Sequence, residues 1–339
     1  MAHRRTRRSK RKAALYTVII AVVMAVLAVA YFFALQAEES SRTQARQTAA
    51  QTIGVRKKVR YHDQTYAEKT DLTSILLMGV DRDSGKKQIG ARDGGQSDFL
   101  LLLVFDHPNR KIYRLQIDRD TMTPVEILGI LGNPVGTQLM QITLAHAFGS
   151  TPQENCEREV QAVQNLLDGI TIDYYMALNM NGIGVLNDSL GGIEVTLPED
   201  YTAFDPEMEK GKTLKLTGDQ AYIMTRYRME IGDGSNQQRM HRQQVFMEAL
   251  ADTLRKHIGD EPDLIGELFD ALDPYLTSSI TRGRLLNEAN RSYRYELQPL
   301  KEFEGEYKIG SDQFMEFYPA EGEVDRWVMQ TFYEPVEDS

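Results

Sequence analysis

Apolar and polar positions divide the chain into three stretches. Ala13 to Leu35 contains no formally charged residue, residues 36 to 70 are polar with little periodicity, and from residue 74 the pattern is that of a folded domain. SILLMGV (74–80) is a continuous apolar run bounded by charge, which predicts a strand covered on both faces. FLLLLVFD (99–106) and KIYRLQID (111–118) are joined by HPNR and predict a hairpin. TPQENCEREVQAVQNLLDG offers Thr151 as N-cap, Pro152 in the first turn and Glu154 for a capping box. Its Cys156, Val160, Val163 and Leu167 recur at helical spacing, so Cys156 reads as core. Strand-like MALNM (176–180) and IEVTLPE (193–199) flank a short helix ending at Gly191-Gly192. Thr217 and Gln220 cap another short helix, TGDQAYIMTRY, and a longer one runs from about Asn236 to His257. Val324, Trp327, Val328 and Phe332 mark a last amphipathic helix. Strands alternating with helices, without a second linker, predict one α/β domain.

The N-terminus adds a second part. Residues 1–12 carry seven Lys and Arg and no acid, and the uncharged run at 13–35 would be roughly 34 Å long as a helix, enough to cross a bilayer core. That run exceeds the roughly 7–15-residue apolar region of a cleaved signal peptide, the competing reading. The expectation is a cytoplasmic basic tail (1–12), a transmembrane helix (13–35), a stalk (36–70) and an extracellular domain (71–335). The basic flank stays inside, so the chain is a single-pass protein of the cell membrane.

Charge narrows the partners. The net charge is −10, and the chain beyond residue 12 carries −17, a poor match to nucleic acid. Cys156 is the only cysteine, so no intrachain disulfide can form, and the six histidines show no metal-ligand spacing. No P-loop, G-x-S-x-G or H-E-x-x-H occurs.

Three features carry candidate chemistry. Asp81 ends one predicted strand and Asp98 precedes the next; two carboxylates meeting at strand ends suit a hard cation such as Mg2+. Alternatively, each caps a loop or pairs with Arg82 or Arg92. A hairpin closing at 107–110 puts residues near 118–119 opposite residues near 98–99, which makes Asp98 and Arg119 neighbours. Finally, TRYRMEIGDGSNQQRMHRQQ holds Arg226 and Arg228, two apart, and Arg239 and Arg242, three apart on a helix with Gln243. Arginine forks bind phosphate oxygens bidentately, so the cluster fits a pyrophosphate; a solvated helix face with surface ion pairs is the other reading.

These segments, in this order, resemble the LytR–CpsA–Psr family of cell-wall glycopolymer ligases over roughly residues 72 to 335. The resemblance is carried by SILLMGVD, QSDFLLLLVFDHPNRKIYRLQIDRDTM, QITLAHAFGS, IDYYMALNMNGIGVLNDSLGGIEVTLPED and LTGDQAYIMTRYR…RMHRQQ. It implies a central mixed sheet flanked by helices, with an apolar cavity for a lipid. It also implies a phosphotransferase that moves a glycopolymer with its phosphate from an undecaprenyl-pyrophosphate carrier to a peptidoglycan hydroxyl. By motif position, Asp81 and Asp98 hold Mg2+, and Arg119, Arg226, Arg228, Arg239, Arg242 and Gln243 bind the pyrophosphate. Arg119 and Asp98 are then the catalytic pair. Apart from the resemblance, Asp98 and Asp120 are the carboxylates that could accept the acceptor hydroxyl's proton. Gln96 stands where the family has arginine, Asp118 where proline is common, and Thr143 replaces an asparagine. Two other functions stay open: a non-catalytic binder of lipid-linked glycans and a polyprenyl-pyrophosphate hydrolase.

Overall fold

A computed structural model describes residues 56–81, 95–129 and 133–336. The basic tail, the apolar run at 13–35 and the linker up to residue 55 lie outside the described residues, as do Arg82 and Arg92. The chain divides into two units, Met1–Glu68 with Val336–Ser339, and Lys69–Pro335. In the first, β1 (Lys58–Tyr61) and β2 (Gln64–Glu68) form an antiparallel hairpin inside the segment read as a stalk. Val59 pairs with Tyr66, and the Tyr61 and Tyr66 rings meet edge to face at 6.2 Å. Strands of four and five residues are too short to stand out as a period in a polar segment.

In the second unit β3 (Leu72–Asp81), β4 (Gln96–Asp106) and β5 (Lys111–Ile117) are the expected strands. They are followed by a hairpin, β6 (Met122–Leu128) and β7 (Pro134–Gln141), a 3-10 turn Ile142–Phe148, and helix α1 (Pro152–Leu166). Thr151 caps α1 through Glu154 N–H at 3.1 Å, but Glu154 reaches back to Ser150 N–H at 2.8 Å instead of closing the expected box. Next come β8 (Tyr174–Asn179), α2 (Gly182–Ser189), β9 (Glu194–Thr196), β10 (Thr213–Lys215) and α3 (Gly218–Arg226), the last with the full Thr217–Gln220 capping box. The long α4 (Asn236–Ile258) precedes α5 (Leu264–Leu272), β11 (Leu276–Ser278), α6 (Arg282–Ser292) and β12 (Glu296–Lys301). A hairpin of β13 (Gly305–Ile309) and β14 (Met315–Pro319) then leads to α7 (Glu323–Phe332).

The main sheet is mixed, in the order β11-β8-β3-β4-β5-β12. β8 runs parallel to β3 and β12 parallel to β5, and the other neighbours are antiparallel. Helices flank it, as the resemblance implies. Alternate residues of β4 serve two layers: Leu100, Leu102 and Val104 are fully buried on one face, while Phe99, Leu101 and Leu103 face the cavity under α4. Cys156 is core as expected, and burial pushes its thiol up to about 12.

Candidate functional site

The site forms where β3, β4 and β5 end. Gly79 pairs with Phe99, but Val80 pairs with Ser97, so Asp98 is the extra residue of a β-bulge. A bulge re-aims a side chain relative to the regular alternation. Ser97 turns to the α1 side, towards the buried Glu159, and Asp98 turns to the α4 side, where it meets Arg239. Gly95, at φ +73°, lets the chain enter β4 closely: a Cβ there would lie 2.8 Å from the Asp81 carbonyl oxygen. Glu159 fixes the opposite layer by accepting the His146 N–H at 2.9 Å, and burial pushes its carboxyl up to about 8, so it is neutral at pH 7.

Asp98 accepts from two arginines. Arg119 Nη1 donates to Oδ1, and Arg239 Nη1 donates to Oδ2 at 3.1 Å. The β4–β5 register, with Leu100 opposite Ile117, continues to set 98 against 119, as the hairpin count predicts. Arg119 Nη2 also donates to Gln96 Oε1 at 2.7 Å, and its Nε lies 3.5 Å from Asp120 Oδ1. Gln96, which stands where the family has a cation, therefore acts as an acceptor for Arg119.

Asp118 does not touch Arg119. Its carboxylate accepts from Asp120 N–H at 2.8 Å, from Asn236 Nδ2 at 2.9 Å and from the Tyr307 hydroxyl. Asn236 in turn accepts from Arg239 Nη2 at 2.8 Å, so Asp118 braces the start of α4 against the end of β5. Burial, then the nearby Asp118 charge, push Asp120 up to about 6, against the pull of Arg119, Arg239 and Arg228. Burial likewise lowers the pKa of Arg239, opposed by Asp98.

The remaining sequence-selected residues are spread around this pair. Helix α3 ends at Arg226 and Tyr227 is extended, but the two guanidiniums serve different places. Arg226 pairs with Asp81 at 2.5 Å, whereas Arg228 lines a polar cleft with Arg119. Arg242 is fully buried and its Nη2 donates to the Tyr227 carbonyl, holding the loop after α3. Gln243 donates to the Thr225 carbonyl at 3.2 Å and lines an apolar cavity. Arg119, Arg239 and Asp98 thus meet directly, and Arg242 and Gln243 support them from behind. Sequence reading passed over Asn236 and Tyr307. Asn236 could have been found one turn before Arg239 on α4, but nothing local marks Tyr307, which arrives on a distant hairpin.

Three spaces open beside the pair. An apolar cavity of about 230 Å³ lies between the sheet and α4, lined by Leu77, Phe99, Met247, Leu250 and Leu254 among others. A second, of about 210 Å³, shares those five residues. The polar cleft, about 790 Å³, is lined by Gln96, Arg119, Asp120, Arg228, Asn236 and the tip of the β13–β14 hairpin. Along α4 the order is telling: Asn236 and Gln237 line the cleft, Arg239 holds Asp98, and Gln243 to Leu254 line the cavity.

Asp81 and Asp98, oxygen donors on adjacent strands, have the chemistry Mg2+ requires. Each is engaged by a guanidinium, Asp81 by Arg226 and Asp98 by Arg119 and Arg239. No cluster of three or more His, Cys, Asp or Glu side chains suited to a metal occurs among the described residues.

Fold and site together define an α/β domain whose arginine pair lies beside apolar cavities and a polar cleft. The family model described as LytR_cpsA_psr matches residues 30–307, and the chain belongs to that family. It is 32% identical over 178 residues to the polyisoprenyl-teichoic acid–peptidoglycan teichoic acid transferase TagU of Bacillus cereus (strain AH820), covering 52% of each chain. It is 30% identical over 185 residues to biofilm regulatory protein A of Streptococcus mutans, covering 52% of this chain and 43% of that one. These matches span about half the length of the curated relatives. Among solved structures, protein gbs0355 of Streptococcus agalactiae superposes with a TM-score of 0.62 at 24% identity, over 77% of this chain and 88% of that one. TagV of B. subtilis gives 0.58 at 22%, over 78% and 98%, and a structure of TagT bound to LI-WTA gives 0.58 at 20%, over 77% and 90%. The structural likenesses establish the shared fold.

Proposed function

We propose that this protein is a membrane-anchored phosphotransferase. It would move a glycopolymer, with its phosphate, from an undecaprenyl-pyrophosphate carrier to a peptidoglycan hydroxyl and release polyprenyl phosphate. The observation that carries this reading is the placing of Arg119 and Arg239, both on Asp98, between an apolar cavity and a polar cleft. The polyprenyl tail would occupy the cavity, where burial of apolar chain favours binding. The pyrophosphate would take Arg119 and Arg239, joined by Arg226 and Arg228. Names of relatives such as TagU support a glycopolymer donor and a peptidoglycan acceptor. The apolar run at 13–35 would hold the domain at the membrane where the carrier resides, with the basic tail inside the cell.

Phosphoryl transfer is served mainly by positioning and charge neutralisation. Arg119, just after β5, and Arg239, on α4, would together orient the two phosphates. When they turn to the donor, the Asp98 carboxylate is uncovered, and Arg226 does the same for Asp81. Those two carboxylates would hold Mg2+, which supplies additional neutralisation of the phosphate oxygens.

The test uses the full chain with a synthetic polyprenyl-pyrophosphate glycan, Mg2+ and peptidoglycan fragments, following release of polyprenyl phosphate. Release should require the acceptor and fall about 10²–10³-fold or more in Arg119→Ala, the loss seen when a stabilising donor to a transition state is removed. Release without acceptor would assign a hydrolase instead. Binding of the donor by folded protein with no release would assign a sensor of lipid-linked glycans.

A further inference from the structure

Beyond Arg119 and Arg228, the cleft on the other side of Arg119 from the apolar cavity is lined mainly by uncharged groups. Its walls carry the amides Gln141, Gln237 and Gln313, and its rim carries Met229, Ile309 and Phe314. Met229 is 74% exposed, Ile309 69% and Phe314 63%, high values for large apolar side chains. Amides donate and accept hydrogen bonds at once, as sugar hydroxyls and acetamido groups require. Flat apolar and aromatic surfaces pack against the C–H faces of pyranose rings. Asp120 and Asp312 offset the charges of Arg119 and Arg228 there.

Asp120 stands at the inner end of this cleft. It is buried, lies 3.5 Å from Arg119 Nε, and accepts from Gln141 Nε2 at 3.2 Å. Among the described residues its carboxylate is thus next to the arginine that would hold the donor phosphate, on the side where an incoming hydroxyl has room.

Resting on the phosphotransferase reading, we propose that this cleft seats the acceptor as an N-acetylhexosamine chain and that Asp120 is its general base. The acceptor hydroxyl oxygen forms a bond to the glycan-side phosphorus and its proton passes to an Asp120 carboxylate oxygen. The bond from that phosphorus to the bridging oxygen breaks, and polyprenyl phosphate leaves with the electron pair. The product is a phosphodiester between acceptor and glycopolymer, and the proton later returns to solvent. A carboxylate held above its ordinary range accepts a proton more readily than a surface aspartate, while still ionised at neutral pH.

The experiment separates cleft from donor site by titrating the full chain with two probes, a tetrasaccharide of β-1,4-linked N-acetylglucosamine and geranyl pyrophosphate with Mg2+. Phe314→Ala and Gln237→Ala should each weaken the tetrasaccharide by about tenfold, roughly 1.4 kcal/mol, and leave geranyl pyrophosphate within about twofold. Asp120→Asn should lower kcat by about 10²-fold or more while geranyl pyrophosphate binds at least as tightly as to the unaltered chain, since Arg119 loses a competing carboxylate. Protein that binds geranyl pyrophosphate but not the tetrasaccharide, or binds it equally well in both cleft variants, would overturn the subsite and leave the donor reading standing. Tetrasaccharide binding without geranyl pyrophosphate binding would overturn the donor reading and keep the cleft. A Phe314→Ala variant that loses only its hold on phosphatidylglycerol vesicles would give the rim to the membrane and reject the sugar. Full turnover in Asp120→Asn would remove Asp120 as the base.

Discussion

Arg119 is surrounded by the acceptors it must relinquish: Asp98, Gln96 and Asp120 all face its guanidinium. At rest the cation is satisfied within the protein, and a donor pyrophosphate competes with carboxylates already in place. The Asp98–Arg119 neighbourhood was legible, because a hairpin register can be counted from its turn. The separation of Arg239 from Arg242 was not: three residues apart on a helix predicts adjacent directions, but not that one guanidinium reaches the strand ends while the other is sealed under the loop after α3. Asp120 carries the pH dependence expected at this scale. The groups facing it are Asp118, Arg119, Arg228, Arg239 and Gln141, with Tyr307 on the far side of Asp118. A raised carboxyl holds its proton to higher pH, so the base is lost as pH falls through about 6. The profile of kcat/KM for the free enzyme should therefore show an acid limb near pH 6. Asp118→Asn removes the like charge and should move that limb to lower pH; a limb that stays put would assign it to another group.

Among the elements, the strands and helices with long periodic or capped signatures were readable. β3, β4, β5, α1, α3 and α4 all stand where the pattern put them. The hairpins β6–β7 and β13–β14 were not, since their exposed residues interrupt the alternation on which a strand is recognised: Leu139, Ile309 and Met315 point to the open side. Those hairpins wall the cleft, so the part of the site that meets the acceptor was the hardest to see. Helix α4 shows the opposite case. Its apolar positions were evident, yet Met247, Leu250 and Leu254 line both cavities as well as packing in the core. Met247→Trp should fill that space. The KM of a donor with a full-length polyprenyl tail should rise about tenfold or more, a loss of about 1.4 kcal/mol, while a geranyl donor reacts as before. An equal effect on both donors would show that the tail does not enter beneath α4.

For the whole molecule, the chain beyond residue 12 carries −17, yet its proposed donor is an anion. The arginines are local, and the field an approaching ligand meets first is negative. Raising salt shortens the Debye length from about 30 Å at 0.01 M to about 8 Å at 0.15 M. Association of a soluble pyrophosphate donor should accordingly speed up over that range, measured as kcat/KM; a decline would mean the arginines dominate the field at a distance. The site also depends on length as much as on composition. Ser97 and Asp98 together oppose Val80 where the strand would otherwise offer one residue. Losing Ser97 would leave nearly all of β4 paired as before, but would set Asp98 opposite Val80, facing the buried Glu159. The arginines would then have no shared partner. Among descendants of this gene, many replacements along β4 can be absorbed by a strand that is apolar on both faces, whereas the loss of a single codon at the bulge would leave a folded but silent protein.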